Sequence, residues 1–168
     1  MKLSFIGKLA QKKETLVIVS DKKSISKIVG LNKSILNIIS KSIKNENFKF
    51  NKFESIEIIG EEKTGYSKVI IIGCGEVNSL NLKDYDLIGG KITQLNSKFS
   101  NNIEVLVSQN ISNDELIMRI GYGAILATYR FDKYKSKKSK ISFPKNIKIL
   151  SKNFRMLSKK FSHKKSVT

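Results

Sequence analysis

The chain of 168 residues contains no tryptophan, one proline and one cysteine, Cys74. A lone cysteine cannot form an intramolecular disulfide, and without a neighbouring His or Cys it provides no zinc framework. No run of about 18 apolar residues occurs, and the N-terminus has neither a long apolar stretch nor a small-residue cleavage site. These absences exclude a disulfide scaffold and predict a cytoplasmic protein that does not interact with a membrane.

Acidic residues are also few, since 14 Asp and Glu stand against 32 Lys and Arg and leave a net charge of +18. Residues 133–168 contain thirteen basic residues and no acid, since Asp132 is the last acidic residue of the sequence. Such a segment can bind phosphates non-specifically. A solvated basic tail explains the same pattern, because charge runs are usually exposed and only three basic residues are Arg, the residue that base-specific recognition favours.

Four apolar, β-branched runs predict strands that are buried on both faces of a sheet. Alternation of polar and apolar residues at 2–6 predicts a half-covered or edge strand, and 147–149 is a further candidate. The four runs are Thr15–Val19, Ile56–Ile59, Val69–Ile72 and Ile103–Val107.

Between the strands, apolar residues recur every three or four positions, which is the period of an amphipathic helix. The stripe in residues 28–43 predicts a first helix, with Ser20 or Asp21 as its cap. The stripe in residues 85–99 predicts a second helix, which begins near Asn81.

A third helix is predicted after Ser112–Glu115, whose spacing is that of a capping box. The alternation of helices with strands predicts an α/β fold with a mixed, mostly parallel sheet flanked by helices on both faces. Glycines inside the helical patterns each cost up to about 1 kcal/mol relative to Ala, and close helix-to-sheet packing is the expected compensation. They are Gly30, Gly89, Gly90, Gly121 and Gly123.

The turn Gly73–Gly75 follows a buried run and has part of the pattern of a phosphate-binding loop. The third glycine of the dinucleotide fingerprint is missing and no helix begins at once, so a tight strand-exit turn is the better interpretation. Cys74 within the turn has no base beside it, because the sole histidine, His163, lies in the basic segment. We therefore interpret Cys74 as a small buried residue.

Acidic pairs provide no clear metal site either. None of them has a His or a further acid at metal-ligand spacing, so the residues alone predict no metal and no catalytic constellation. The pairs are Glu61 with Glu62, Asp84 with Asp86, and Asp114 with Glu115.

The most informative stretch is a small-residue helix that runs into the hexapeptide 129–134, Tyr-Arg-Phe-Asp-Lys-Tyr. It resembles the end of the N-terminal domain of the leucyl aminopeptidase, or cytosol aminopeptidase, family, where the counterpart ends in Tyr-Arg-Phe-Asp-x-Tyr. Weaker agreement comes from the strand at 16–19, from Phe48-Lys49-Phe50 and from the strand-turn 69–75. The resemblance covers about residues 1–150 and implies a macro-domain-like fold. Its structural motif residues would be Tyr129, Arg130, Phe131, Asp132 and Tyr134.

In the family that the chain resembles, two divalent metals, zinc or manganese, and the catalytic Lys and Arg belong to a C-terminal domain with the motif Asn-Thr-Asp-Ala-Glu-Gly-Arg. This motif does not occur here. The resemblance therefore implies that residues 1–150 are the non-catalytic domain and residues 151–168 a basic tail or truncated linker. We expect no catalytic residue, metal or cofactor in this chain, and no activity from it alone.

The same resemblance implies a partner, namely a catalytic aminopeptidase domain or subunit that is not in this chain and whose assembly or access the domain controls. Association with further copies of the chain is also open. An apolar surface patch, left exposed where the catalytic domain packs, would favour this hypothesis.

The alternative hypothesis is a nucleic-acid-binding module that uses Lys133, Lys135, Lys137 and Lys138. Aromatic residues interleaved with lysines would allow stacking on single strands, and affinity would fall steeply with salt. A third hypothesis rests on fold analogy alone and ranks lowest: a nucleotide diphosphate-ribose compound bound near residues 73–75.

Overall fold

The computed structural model describes residues 1–11, 14–96, 102–133 and 142–167. One six-stranded sheet organises the fold, with the strand order β1-β6-β5-β2-β4-β3. All neighbouring strands are parallel except β3, which runs antiparallel to β4. The strands are β1 (Lys2–Ile6), β2 (Glu14–Ser20), β3 (Ser55–Ile59), β4 (Tyr66–Gly73), β5 (Asn102–Val107) and β6 (Asn146–Leu150).

In the described ranges, four α-helices cover the two faces of this sheet. One helix packs on the first face and three on the second, which confirms the predicted α/β class with a mixed, mostly parallel sheet. They are α1 (Lys33–Asn45) on the first face and α2 (Leu82–Leu95), α3 (Asp114–Lys133) and α4 (Phe154–Val167) on the second. Among the residues with described positions, no helix combines the length and the apolar character that crossing a membrane requires.

The continuous apolar run of β2 reflects burial on both of its sides. Leu16 and Ile18 belong to the core cluster beneath α1, whereas Val17 and Val19 belong to the cluster beneath the other three helices. All four side chains are fully buried. A central parallel strand has no polar face, because helices cover the sheet on both sides.

The predicted burial of the run 56–59 on both faces is wrong. β3 is the edge strand, and Ile59 is 88% exposed. Ile56 and Ile58 pack in the core cluster of the first face, whereas Glu57 and Ile59 on the other face of the strand are exposed. A run of this length cannot by itself distinguish an edge strand from an inner one.

The start of α2 agrees with the prediction from the sequence. Asn81 Oδ1 accepts a hydrogen bond from the Asp84 amide at 3.0 Å, and Asp84 Oδ2 accepts one from the Asn81 amide at 2.9 Å. These reciprocal bonds form a capping box that satisfies two backbone donors.

The other two predicted caps are wrong, because the chain makes additional turns before each helix. α1 begins after Asn32, which accepts from the Ile35 amide, and not after Ser20 or Asp21. In front of α3, Asn113 accepts from the Leu116 amide, whereas the Ser112 hydroxyl donates to the Gln109 carbonyl. A short 3₁₀ turn, which periodicity does not reveal, precedes both sites.

Gly89 and Gly123 allow α2 and α3 to pack backbone against backbone. A Cβ at Gly89 would overlap the Ile120 carbonyl oxygen, and a Cβ at Gly123 would overlap the Asp86 carbonyl oxygen. At these two positions the close packing is helix-to-helix, whereas the sequence predicted helix-to-sheet packing. Gly121 does pack on the sheet, since an added Cβ would lie 3.0 Å from Leu3 of β1. Gly30 lies outside every helix, with a φ of 94°.

Helix α4 occupies the segment that the sequence predicts only as a basic tail or linker. Leu157 and Phe161 are buried in the core of the second face. The Phe161 ring lies with its centroid 5.7 Å from that of Phe5 and 5.2 Å from that of Tyr122. Apolar residues four positions apart on α4 thus pack on β1 and α3, although lysines surround them in the sequence.

Candidate functional site

A groove of about 730 Å³ lies along the exposed sides of α2 and α3. We define the α2–α3 groove by Leu87 and Gly90 from α2 and by Gly123, Leu126 and Ala127 from α3. A Cβ added at Gly90 would lie 3.8 Å from the Ala127 Cβ, so small residues bring the two helices close together here. The groove is the consequence of packing two glycine-containing helices against each other.

Large apolar side chains remain exposed along this groove. Leu87 is 42% exposed and Leu126 is 52% exposed. One turn beyond Leu126, Tyr129 is 66% exposed at the end of α3. Single exposed leucines are common on protein surfaces, but a contiguous set that lines a concave surface is typical of an interaction site.

Positive charge lies on the α2 side of the groove. Lys83 and Lys91 line it together with Asp86. The Asp86 carboxylate is paired with Arg119, whose Nη2 lies 3.1 Å from its Oδ2. Within the described ranges no salt bridge involves Lys83 or Lys91, so their charges are not compensated by a direct ion pair.

The turn Gly73–Gly75 does not form a phosphate cradle, because its backbone amides already have acceptors. The Gly73 amide donates to the Glu54 carbonyl at 2.7 Å, the Cys74 amide to Ser20 at 3.1 Å and the Gly75 amide to Phe50 at 2.9 Å. A 3₁₀ turn and not an α-helix follows. A phosphate site requires free amides at a helix start, so the interpretation as a strand-exit turn agrees with this geometry.

Cys74 itself is fully buried. Burial raises the pKa of its thiol to about 11, and the nearby Asp21 carboxylate adds to the shift. A neutral, inaccessible thiol is a poor nucleophile. The structure thus places Cys74 where the sequence predicts it, as a small residue in the core.

The acidic pairs are separated among unrelated structural roles. Asp84 caps α2 and accepts from Lys52 Nζ at 3.0 Å, while Asp114 accepts from the Asn153 side-chain amide at 3.0 Å. Glu61 and Glu62 lie at the exposed connection between β3 and β4. In the part of the chain that the structure describes, no group of three His, Cys, Asp or Glu side chains is placed to hold a metal.

Glu104 is a structurally important residue that the sequence reasoning missed. It is fully buried in β5, and its carboxylate accepts from the Ala10 amide at 2.8 Å and the Gln11 amide at 3.2 Å. The Tyr66 hydroxyl lies 3.5 Å from the same carboxylate. The signal in the sequence was a single acid inside an apolar inner strand. Glu104 fixes the β1–β2 connection against the sheet.

The structure describes the predicted motif residues only in part. Tyr129 is exposed on α3, and the same helix continues through residues 130–133, whose side chains lie outside the described part. Tyr134 and the lysines of the nucleic-acid hypothesis, Lys135, Lys137 and Lys138, lie outside the described residues altogether, as does the side chain of Lys133. Their roles therefore stay predictions.

Comparison with known proteins places this fold in a family. Residues 16–138 match the model of the cytosol aminopeptidase family, N-terminal domain. The chain belongs to this family. The match covers α2 and α3, whose outer faces form the α2–α3 groove. It confirms the resemblance inferred from the motif at the end of α3.

Curated relatives in this family are considerably longer than the chain. It is 28% identical to a probable cytosol aminopeptidase of Rickettsia rickettsii (strain Sheila Smith), over 99% of this chain and 35% of the relative. A probable cytosol aminopeptidase of Rickettsia bellii (strain OSU 85-389) is 33% identical over 72% of this chain and 26% of the relative. The chain thus spans about a third or less of the length of these relatives.

Solved structures support the same fold. A tomato leucine aminopeptidase variant superposes with a TM-score of 0.71 and 16% identity, over 97% of this chain and 35% of the tomato chain. The bottromycin maturation enzyme BotP, in complex with Mn, gives a TM-score of 0.57 and 11% identity over 88% of this chain and 28% of BotP. In both cases the matched region is a minor part of a larger protein.

Proposed function

We propose that this chain acts as a non-catalytic N-terminal domain that assembles with, or controls, the catalytic domain of a cytosol aminopeptidase. One observation carries the proposal: the chain matches the N-terminal domain of the family and spans only 35% of a relative that covers almost all of it. In this proposal the part of such relatives that lies outside the match is the catalytic domain, which performs the peptide hydrolysis.

The described residues support a binding role more than a chemical one. The buried Cys74 has a raised pKa, the acidic side chains serve as caps and pairs, and the groove offers apolar surface. Peptide hydrolysis by a metallo-aminopeptidase needs metal ligands and a polarising group around the scissile bond. In this proposal the catalytic domain holds the divalent metals, and this chain contributes contacts outside the metal centre.

Co-expression tests the proposal. The chain is produced together with the part of the Rickettsia rickettsii relative that lies outside the match, and the two are separated by size-exclusion chromatography. We expect one complex that hydrolyses leucine p-nitroanilide when Mn²⁺ or Zn²⁺ is added, while this chain alone does not. Separate elution of two soluble polypeptides, or hydrolysis by this chain alone, would overturn the proposal.

A further inference from the structure

We infer that the α2–α3 groove is the surface on which the catalytic domain docks, and that the docking element is an apolar helix flanked by acidic residues. The inference rests on the proposed function and adds the position of the contact and the chemistry of the partner segment.

The apolar side chains of the groove are not used by the core of this domain. The opposite sides of the same helices bury Ile88, Ile92 and Ile120 against the sheet. Leu87 and Leu126 point away from that cluster and keep 42% and 52% of their surface exposed. Burying such side chains under a partner is favourable, because it removes apolar surface from water.

The shape of the groove fits a helix. A Cβ added at Gly90 would meet nothing closer than 3.8 Å, so Gly90 and Ala127 leave room for a partner backbone to approach beside the leucines. With 14 residues, α2 is about 21 Å long, which matches roughly four turns of a partner helix. Helices recognised in grooves present apolar residues at positions i, i+3 or i+4, and i+7.

Charge selects the partner. Lys83 and Lys91 lie eight residues apart on the α2 margin of the groove, and Asp86 already forms a salt bridge with Arg119. A partner helix with Asp or Glu beside its apolar stripe would place opposite charges against these lysines. A second copy of this chain would bring an identical positive margin and a net charge of +18, so the groove favours a different, acidic partner segment.

A further exposed aromatic residue lies on α3 beyond the groove. Tyr129 lies one turn beyond Leu126 and is 66% exposed. Tyrosine combines a large apolar surface with a hydroxyl, and it is enriched where interfaces are most strongly stabilised. The docking surface therefore extends along α3 toward the motif that identifies the family.

Paired substitutions in the co-expression system test the inference. The double change Leu87→Ser with Leu126→Ser removes exposed apolar surface, and Lys83→Glu with Lys91→Glu reverses the charge. Matched controls are Ile59→Ser, an 88% exposed residue on the β3 edge, and Lys33→Glu with Lys41→Glu on α1. Circular dichroism and thermal melting establish that each variant is folded.

We expect each groove variant to weaken the complex at least tenfold and the controls to leave it within twofold of wild type. If the wild-type chain forms the complex and both groove variants bind equally well, the inference is overturned and the proposed function is not. No complex with the wild-type chain would overturn the proposed function and, with it, this inference.

A photo-crosslinker provides a second measurement that does not depend on loss of binding. Benzoylphenylalanine in place of Leu126 should crosslink to a helix of the catalytic portion that carries Asp or Glu beside apolar residues. The same group in place of Ile59 should not crosslink. Crosslinks from position 59 alone, or from position 126 to a segment without acids, would contradict the inference.

Discussion

The backbone of Gly89 lies directly against the carbonyl group of Ile120, with no room between them for a Cβ. A second close approach joins Gly123 of α3 to the Asp86 carbonyl of α2. Together these contacts set the separation of the two helices and hence the width of the α2–α3 groove. A change at either glycine should alter both the stability of the domain and the shape of the groove.

We therefore expect Gly89→Ala or Gly123→Ala to destabilise the domain by about 1–3 kcal/mol, because over-packing against a backbone forces the helices apart. Gly90→Ala is the matched control, since its Cβ would meet nothing closer than 3.8 Å. Helix propensity predicts that this change stabilises by up to about 1 kcal/mol. Urea denaturation measures all three, and equal effects at positions 89 and 90 would refute the backbone contact.

The capping box of α2 makes stability depend on pH. Hydrogen bonding from the Asn81 amide, with a contribution from Lys52, lowers the pKa of Asp84 below its ordinary value. Because the pKa is lower in the folded state, the stabilisation is present above about pH 4 and is lost as the pH falls through the folded-state pKa.

The corresponding test compares the wild type with Asp84→Asn in urea at pH 7 and at successively lower pH values. We expect the difference in stability between them to shrink below about pH 4. Asn81→Ala, which removes the other half of the box, should cost about 1 kcal/mol at pH 7. A pH-independent difference between wild type and Asp84→Asn would contradict this account of the cap.

Cys74 should be chemically silent in the folded protein. Since burial and Asp21 raise its pKa to about 11, the thiol is neutral and shielded at pH 8. We expect Ellman's reagent to react with it only after denaturation. Prompt reaction of the native protein would show that the turn around Cys74 opens.

The raised pKa of Cys74 has a second consequence at high pH. The unfolded thiol loses its proton near pH 8.5, whereas the folded one retains it to about pH 11. The contribution to stability is therefore complete below about pH 8.5 and falls as the pH rises toward 11. Cys74→Ala should show a flatter stability profile over this range.

Glu104 should matter more for stability than any other glutamate with a described environment. Glu104→Gln retains the shape but replaces one carboxylate oxygen with an amide donor that faces the Ala10 and Gln11 amides. We expect a loss of about 1–3 kcal/mol, as for a buried group whose partners are left unsatisfied. Glu62→Gln, at an exposed position, is the control and should change stability by less than about 0.5 kcal/mol.

The sequence was sufficient for the class of fold because the inner strands are long, apolar and β-branched. The sequence predicts β2 and β4 as buried strands, and both are buried. The Asn81–Asp84 spacing likewise predicts the cap that the structure contains. β3 could not be assigned to an edge, because strand order depends on contacts between segments distant in the chain.

The candidate site was less predictable than the fold. The motif at 129–134 identified the family, and the helical period placed the buried Ile120, but not the exposed Leu126, on the apolar face of α3. That period could not show that Leu126 borders a groove, because the groove depends on the packing of α2 against α3. The sequence predicted that the glycines of α2 and α3 pack against the sheet. The structure shows that Gly89 and Gly123 instead pack against the backbone of the other helix.

The central claim is that this domain works with a separate catalytic domain, and co-expression followed by size-exclusion chromatography tests it most directly. We expect one peak that contains both polypeptides and has metal-dependent leucine p-nitroanilide hydrolysis. Two separate peaks, with the catalytic portion soluble and equally active without this chain, would contradict it.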